Sequence, residues 1–142
     1  PNFDYGYKNI IKEIKKIEKN KNIFVVKNLG QELYFSILNF IGNNNGICIG
    51  NSSSGIKETM FFNCKTINIG IRQKSRFMTK NIYQCSVNTK KIIELYEKIK
   101  HKKINYTKLS NPYFAPNKIN DIDKKIIKKI ANLKSEIKKI TY

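Results

Sequence analysis

Arginine is nearly missing from this 142-residue chain: of 28 basic residues, only Arg72 and Arg76 are not lysine. Acidic residues are also scarce, 10 in all, and the formal net charge is +18. So basic a chain invites a nucleic-acid reading, and a basic nucleic-acid-binding module is the rival from another functional class. The shortage of arginine speaks against it, because the planar guanidinium is the group that forks onto bases and phosphates. Lysine is instead spread through nearly every segment beside abundant Ile and Asn, as in a compositionally biased, A/T-rich coding background. Histidine occurs once, as His101 between Lys100 and Lys102, where neighbouring cations would repel a metal. Cys48, Cys64 and Cys85 are odd in number and form no CxxC pair, so three buried thiols in a reducing cytoplasm are expected. No apolar run nears the roughly 20 residues of a membrane helix, and no signal-peptide pattern is present. Neither a Walker A loop nor GxGxxG occurs, which excludes the common NTPase and dinucleotide fingerprints. The first residue is Pro1 rather than Met, so the chain is expected to be part of a longer protein or a processed product.

What is present is a chain that is 40% hydrophobic and 11% aromatic, enough for a packed core. Ile10, Ile11, Ile14 and Ile17 mark a helix over residues 7–19. Residues 23–26 form a short apolar run of the kind found in buried parallel strands. Leu33, Ile37, Leu38 and Ile41 predict a second helix over residues 31–41. Strands are expected at residues 47–50, 66–69 and 82–85. A short helix over residues 54–62 should turn Ile56 and Met60 inward. Another, over residues 89–99, is marked by Ile92, Ile93, Tyr96 and Ile99. Alternating strands and helices with short connections describe an α/β fold, a Rossmann-like parallel sheet with flanking helices. Residues 1–118 are assigned to this domain. The apolar spacing from Ile119 to Ile140 makes residues 119–142 an amphipathic helix docking on it.

One loop carries chemistry. Ile47-Cys48-Ile49-Gly50 leads into Asn51-Ser52-Ser53-Ser54-Gly55, which opens the short helix, so the serines sit at a strand's carboxyl end, where such sheets bind ligands. Unpaired N–H groups at a helix start, serine hydroxyls and a bare Gly55 suit an anion. Glu58, one turn along, could accept hydrogen bonds from a vicinal diol, as acidic residues do with ribose. Phosphate and diol together describe a nucleotide. Arg72 and Arg76, on the loop after the next strand, could neutralise a diphosphate. Taken singly, the serines would be an ordinary N-cap, Glu58 a surface charge and the arginines solubilising groups.

At these residues the chain resembles the UDP-N-acetylglucosamine 2-epimerases, with its greatest similarity to the hydrolysing, sialic-acid-pathway branch. Gly50-Asn51-Ser52-Ser53-Ser54-Gly55-Ile56-Lys57-Glu58 matches that family's GNSSxGxxE loop. Asn68-Ile69-Gly70-Ile71-Arg72-Gln73 with Arg76 matches its N-[LI]-G-x-R-Q-x-x-R segment. Pro1-Asn2-Phe3-Asp4-Tyr5-Gly6 matches its PNxDxG turn, and Asn111-Pro112-Tyr113 resembles its NPYG. The resemblance implies part of the C-terminal, UDP-binding domain of a glycosyltransferase-B-like fold, whose N-terminal domain is not represented here. It implies UDP contacts from Asn2, Leu29 (through its backbone), Ser52, Ser53, Glu58 and Arg72, with Ser54, Gly55, Gln73 and Arg76 in support. It implies elimination of UDP to a 2-acetamidoglucal followed by addition of water, giving N-acetylmannosamine. The family's acid and base groups lie outside the matched segments, so no catalytic acid or base is assigned to this chain. No cofactor or metal is expected. The partners expected are a UDP-sugar and the missing N-terminal domain, with no nucleic acid and no membrane; a homo-oligomer is compatible with the sequence. Another nucleotide-sugar enzyme of the same fold, such as a glycosyltransferase, is the nearer alternative, and the R-Q-x-x-R segment speaks against it.

Overall fold

A computed structural model of the chain describes residues 5–104 and residue 128. Asn2, the Asn111-Pro112-Tyr113 segment and the expected 119–142 helix lie outside the described residues. The chain divides into two compact units, Pro1–Ile37 and Leu38–Tyr142.

In the first unit, α1 spans Tyr7–Ile17 and starts after Gly6, whose φ of 87° is one that side chains rarely adopt. None of its residues is buried; Ile10 and Ile17 of its apolar stripe are 51% and 48% exposed. Residues 23–26, expected to be a buried strand, form no strand, and Phe24 is 90% exposed. A short apolar run becomes a strand only where a neighbour offers its N–H and C=O groups, and no such neighbour stands beside these residues among those described. Helix α2, Gly30–Asn43, begins where the Asn28 side chain accepts the Gly30 N–H at 2.9 Å. The boundary between the units falls within it.

The second unit is built on three parallel strands in the order β1 (Ile47–Gly50), β2 (Lys65–Ile69) and β3 (Ile82–Cys85). Ile47 pairs with Lys65 and Gly50 with Asn68; Thr66 pairs with Ile82 and Ile69 with Cys85. The carboxyl ends of all three strands therefore share one edge of the sheet. The connection from β1 to β2 is one α-helical turn, α3 (Ser54–Lys57), followed by a 3-10 turn, Thr59–Phe62. A single helix over residues 54–62 was expected. The break follows from Thr59, whose hydroxyl donates to the Gly55 carbonyl at 2.8 Å, a back-bond that distorts helices. Ile56 and Met60 do turn inward, at 0% and 5% exposure.

Helix α4, Thr89–Ile99, is capped by the Asn88 side chain, which accepts the Lys91 N–H at 3.0 Å. It packs on β2 and β3. Its inner face is Ile92, Leu95 and Ile99, joined to Ile67 and Cys85 in the core. Ile93 and Tyr96 stand exposed; packing on β2 and β3 turns Leu95 inward instead.

Lys65 enters the amino end of β2 almost fully buried. Its ammonium donates to the Asn45 side-chain oxygen at 2.7 Å and to the Ile99 and Lys100 carbonyls at 3.0 and 2.9 Å. It thereby satisfies the carbonyls that end α4, while burial lowers its pKa. Burial likewise pushes the Cys64 thiol up to about 12, aided by the neighbouring Cys48, and raises Cys48 itself. Such thiols are poor nucleophiles. Among the described residues no helix is long and apolar enough to cross a membrane.

Candidate functional site

The serine loop leaves β1 at Gly50, and the loop bearing both arginines leaves β2 at Gly70, so the register of the sheet sets them side by side. Ser53 occupies the N-cap position of α3 in helical geometry, φ −62° and ψ −27°, and makes no side-chain cap bond. Its hydroxyl is thus not used as an ordinary cap. The Ser54 N–H faces the Ser52 hydroxyl oxygen at 3.4 Å, and the Ser54 hydroxyl donates to the Glu58 carboxylate at 2.8 Å. Ser54 orients Glu58 rather than presenting its hydroxyl at the mouth of the loop. A side chain on Gly55 would meet the Thr66 methyl at 3.3 Å, so this glycine lets α3 sit close on β2. With α3 only four residues long, the helix dipole contributes little, and the loop's own polar groups dominate its electrostatics.

On the neighbouring loop, Gly70 takes φ 76°, and turns are closed by the Lys74 N–H on the Ile71 carbonyl and the Arg76 N–H on the Gln73 carbonyl. Arg72 and Arg76 are exposed. Gln73 is buried, and its amide donates to the Asn51 carbonyl at 2.9 Å, which ties the arginine loop to the serine loop. Ser52, Ser53, Ser54, Gly55 and Glu58 are therefore brought together with Gln73 and its loop. Leu29 belongs to the first unit, just ahead of α2.

Beneath the serine loop lies a buried polar cluster that sequence reasoning did not single out. The Thr59 hydroxyl accepts from the Thr66 hydroxyl and the Asn81 amide, each at 2.9 Å, and the same amide donates to the Cys64 carbonyl at 2.8 Å. Thr59 and Asn81 are 0% exposed. At the other side of β2, the Asn68 amide donates to the Gln84 side-chain oxygen at 2.7 Å, and the Gln84 amide donates to the Gly70 carbonyl. Among the described residues, two buried side-chain oxygens, Asn68 Oδ1 and Gln73 Oε1, have no hydrogen-bond donor.

Comparison with known proteins adds a second line to this geometry. A family model described as UDP-N-acetylglucosamine 2-epimerase matches residues 1–130. The chain is similar to a GDP/UDP-N,N'-diacetylbacillosamine 2-epimerase (hydrolyzing) of Campylobacter jejuni, 41% identical over 75 residues, which are 53% of this chain and 18% of that protein. It is similar to a UDP-N-acetylglucosamine 2-epimerase of Neisseria meningitidis, 31% identical over 94 residues, 66% of this chain and 24% of the relative. A UDP-N,N'-diacetylbacillosamine 2-epimerase (hydrolyzing) of Legionella pneumophila is 31% identical over 108 residues, 75% of this chain and 28% of the relative. The matched part of the chain thus spans between 18% and 28% of the length of these relatives.

Proposed function

The chain belongs to the UDP-N-acetylglucosamine 2-epimerase family, and from that premise we propose that it is the UDP-binding part of a hydrolysing 2-epimerase in sialic-acid-type sugar biosynthesis. The observation that carries this reading is the hydrogen bond from Gln73 to the Asn51 carbonyl, which joins the serine and arginine loops at adjacent strand ends. In this reading Ser52 and Ser53 hold the diphosphate, and Glu58, oriented by Ser54, accepts the ribose hydroxyls. Arg72 neutralises the diphosphate and stabilises UDP as it departs, with Arg76 in support. The sugar is a UDP-linked 2-acetamido sugar, since these residues address the UDP that UDP-N-acetylglucosamine and its diacetamido relatives share. The reaction is elimination of UDP to the 2-acetamidoglucal and addition of water across the double bond. The acid and base come from a partner N-terminal domain, and the enzyme works in the cytoplasm.

Calorimetric titration with UDP tests the site. Ser53→Ala combined with Glu58→Ala removes a hydroxyl not used as a cap and the diol acceptor. It is expected to weaken UDP binding by about tenfold or more with the melting temperature nearly unchanged. Wild-type affinity in the double variant would remove these two residues from the site.

A further inference from the structure

We infer that three side-chain amides, Gln73, Asn68 and Gln84, form a brace across the carboxyl ends of the strands that holds the serine and arginine loops in register for a diphosphate. The inference rests on the UDP-binding reading above for its ligand, but not for its geometry. The polarity of each amide is dictated by its partner. The Asn51 and Gly70 carbonyls can only accept, so the NH2 ends of Gln73 and Gln84 must face them. Gln84 then offers its oxygen to Asn68, whose NH2 end must turn that way. Two separate sets of bonds result: Gln73 fastens its loop to the backbone just past β1, and Asn68 with Gln84 fastens β3 to the backbone at the end of β2 through Gly70. Gly70 is also where the arginine loop begins, and its own N–H donates to the Cys85 carbonyl at 2.8 Å.

The two orphaned oxygens show what the amides are for. Gln73 is 4% exposed and Asn68 1% exposed, yet Gln73 Oε1 and Asn68 Oδ1 find no donor among the described residues. A buried acceptor without a donor works against folding. A methionine at position 73 would fill similar space without that cost. Stability alone therefore does not account for an amide there; its donor end, fastened to the serine loop, does. Gln73 acts on the nucleotide through Asn51 and is a positioning residue.

The test is Gln73→Met in the full chain, read by amide exchange and amide NMR resonances without ligand, by thermal melting, and by UDP titration. Residues 51–55 are expected to exchange about tenfold faster, with shifted resonances for Ser52, Ser53 and Ser54. Residues of α4 should be unmoved and the melting temperature unchanged or higher. UDP affinity should fall between three- and tenfold, by the approximate worth of one such bond. Gln84→Met is expected to speed exchange at the start of the arginine loop instead. Wild-type exchange and resonances at residues 51–55 in Gln73→Met would overturn the brace. If Gln73→Met does not fold, Gln73→Leu removes the donor without burying a new polar group, and the same readings decide. Absence of UDP binding by the unaltered chain would overturn the functional reading, while the ligand-free exchange result still decides the brace.

Discussion

Thr59 shows how much of the site's support rests on one hydroxyl. It donates to the Gly55 carbonyl and accepts from Thr66 and Asn81, so one buried atom links α3, β2 and the residue ahead of β3. Thr59→Val keeps the shape and removes that atom, leaving the Thr66 hydroxyl without its acceptor and the Asn81 amide with one partner fewer. Chemical denaturation should show a loss of about 2–3 kcal/mol, because stranded buried polar groups cost more than the bond itself is worth; a loss below about 0.5 kcal/mol would mean that the cluster re-pairs. The loops that carry Ser52, Ser53, Glu58, Arg72 and Gln73 could be placed at neighbouring strand ends from the sequence because each motif is contiguous. Thr59, Thr66 and Asn81 were not legible, since their bonds join residues 7 and 22 positions apart and no periodicity announces them. The sequence also could not show that Ser54 is turned onto Glu58, because a run of three serines does not reveal which hydroxyl faces inward.

Among the elements, α2 and the turn after α3 meet closely at Gly42. A methyl group on Gly42 would lie 1.7 Å from the Phe62 carbonyl oxygen, so helix and turn touch through bare backbone. Gly42→Ala, a change that normally stabilises a helix, is expected here to destabilise by about 3 kcal/mol, read as a lower denaturation midpoint. An unchanged or raised midpoint would mean that this contact yields freely. The three strands and α4 were legible because their apolar runs are short, bounded by turn residues and satisfied by neighbours within the same unit. Residues 23–26 carry the same pattern without such a neighbour among the described residues. The inner face of α4 was not legible for a related reason: Ile93 and Leu95 are both apolar, and only contact with β2 and β3 decides between them.

For the whole molecule, the dominant quantity is the net charge of +18. Self-repulsion of that size weakens a compact state and is screened by salt. The melting temperature should therefore rise by several degrees between very low salt and roughly 0.5 M sodium chloride; a flat or falling trend would show that the lysines are too well dispersed to matter. The family was legible because its motifs occur in order along the chain, and the match over residues 1–130 agrees. The sugar was not, because the loops that could be read are those proposed to address the nucleotide. Lys65 stands apart from this general charge. For a lysine in solvent, exchange for arginine preserves the charge and drifts freely with base composition. Lys65 is gripped by a side-chain oxygen and two carbonyls around a compact ammonium, a geometry that a planar guanidinium does not reproduce. A shift in genomic base composition that replaced lysine by arginine across the chain would thus be barred at this position, and the abundance of lysine conceals one site where the choice is not neutral.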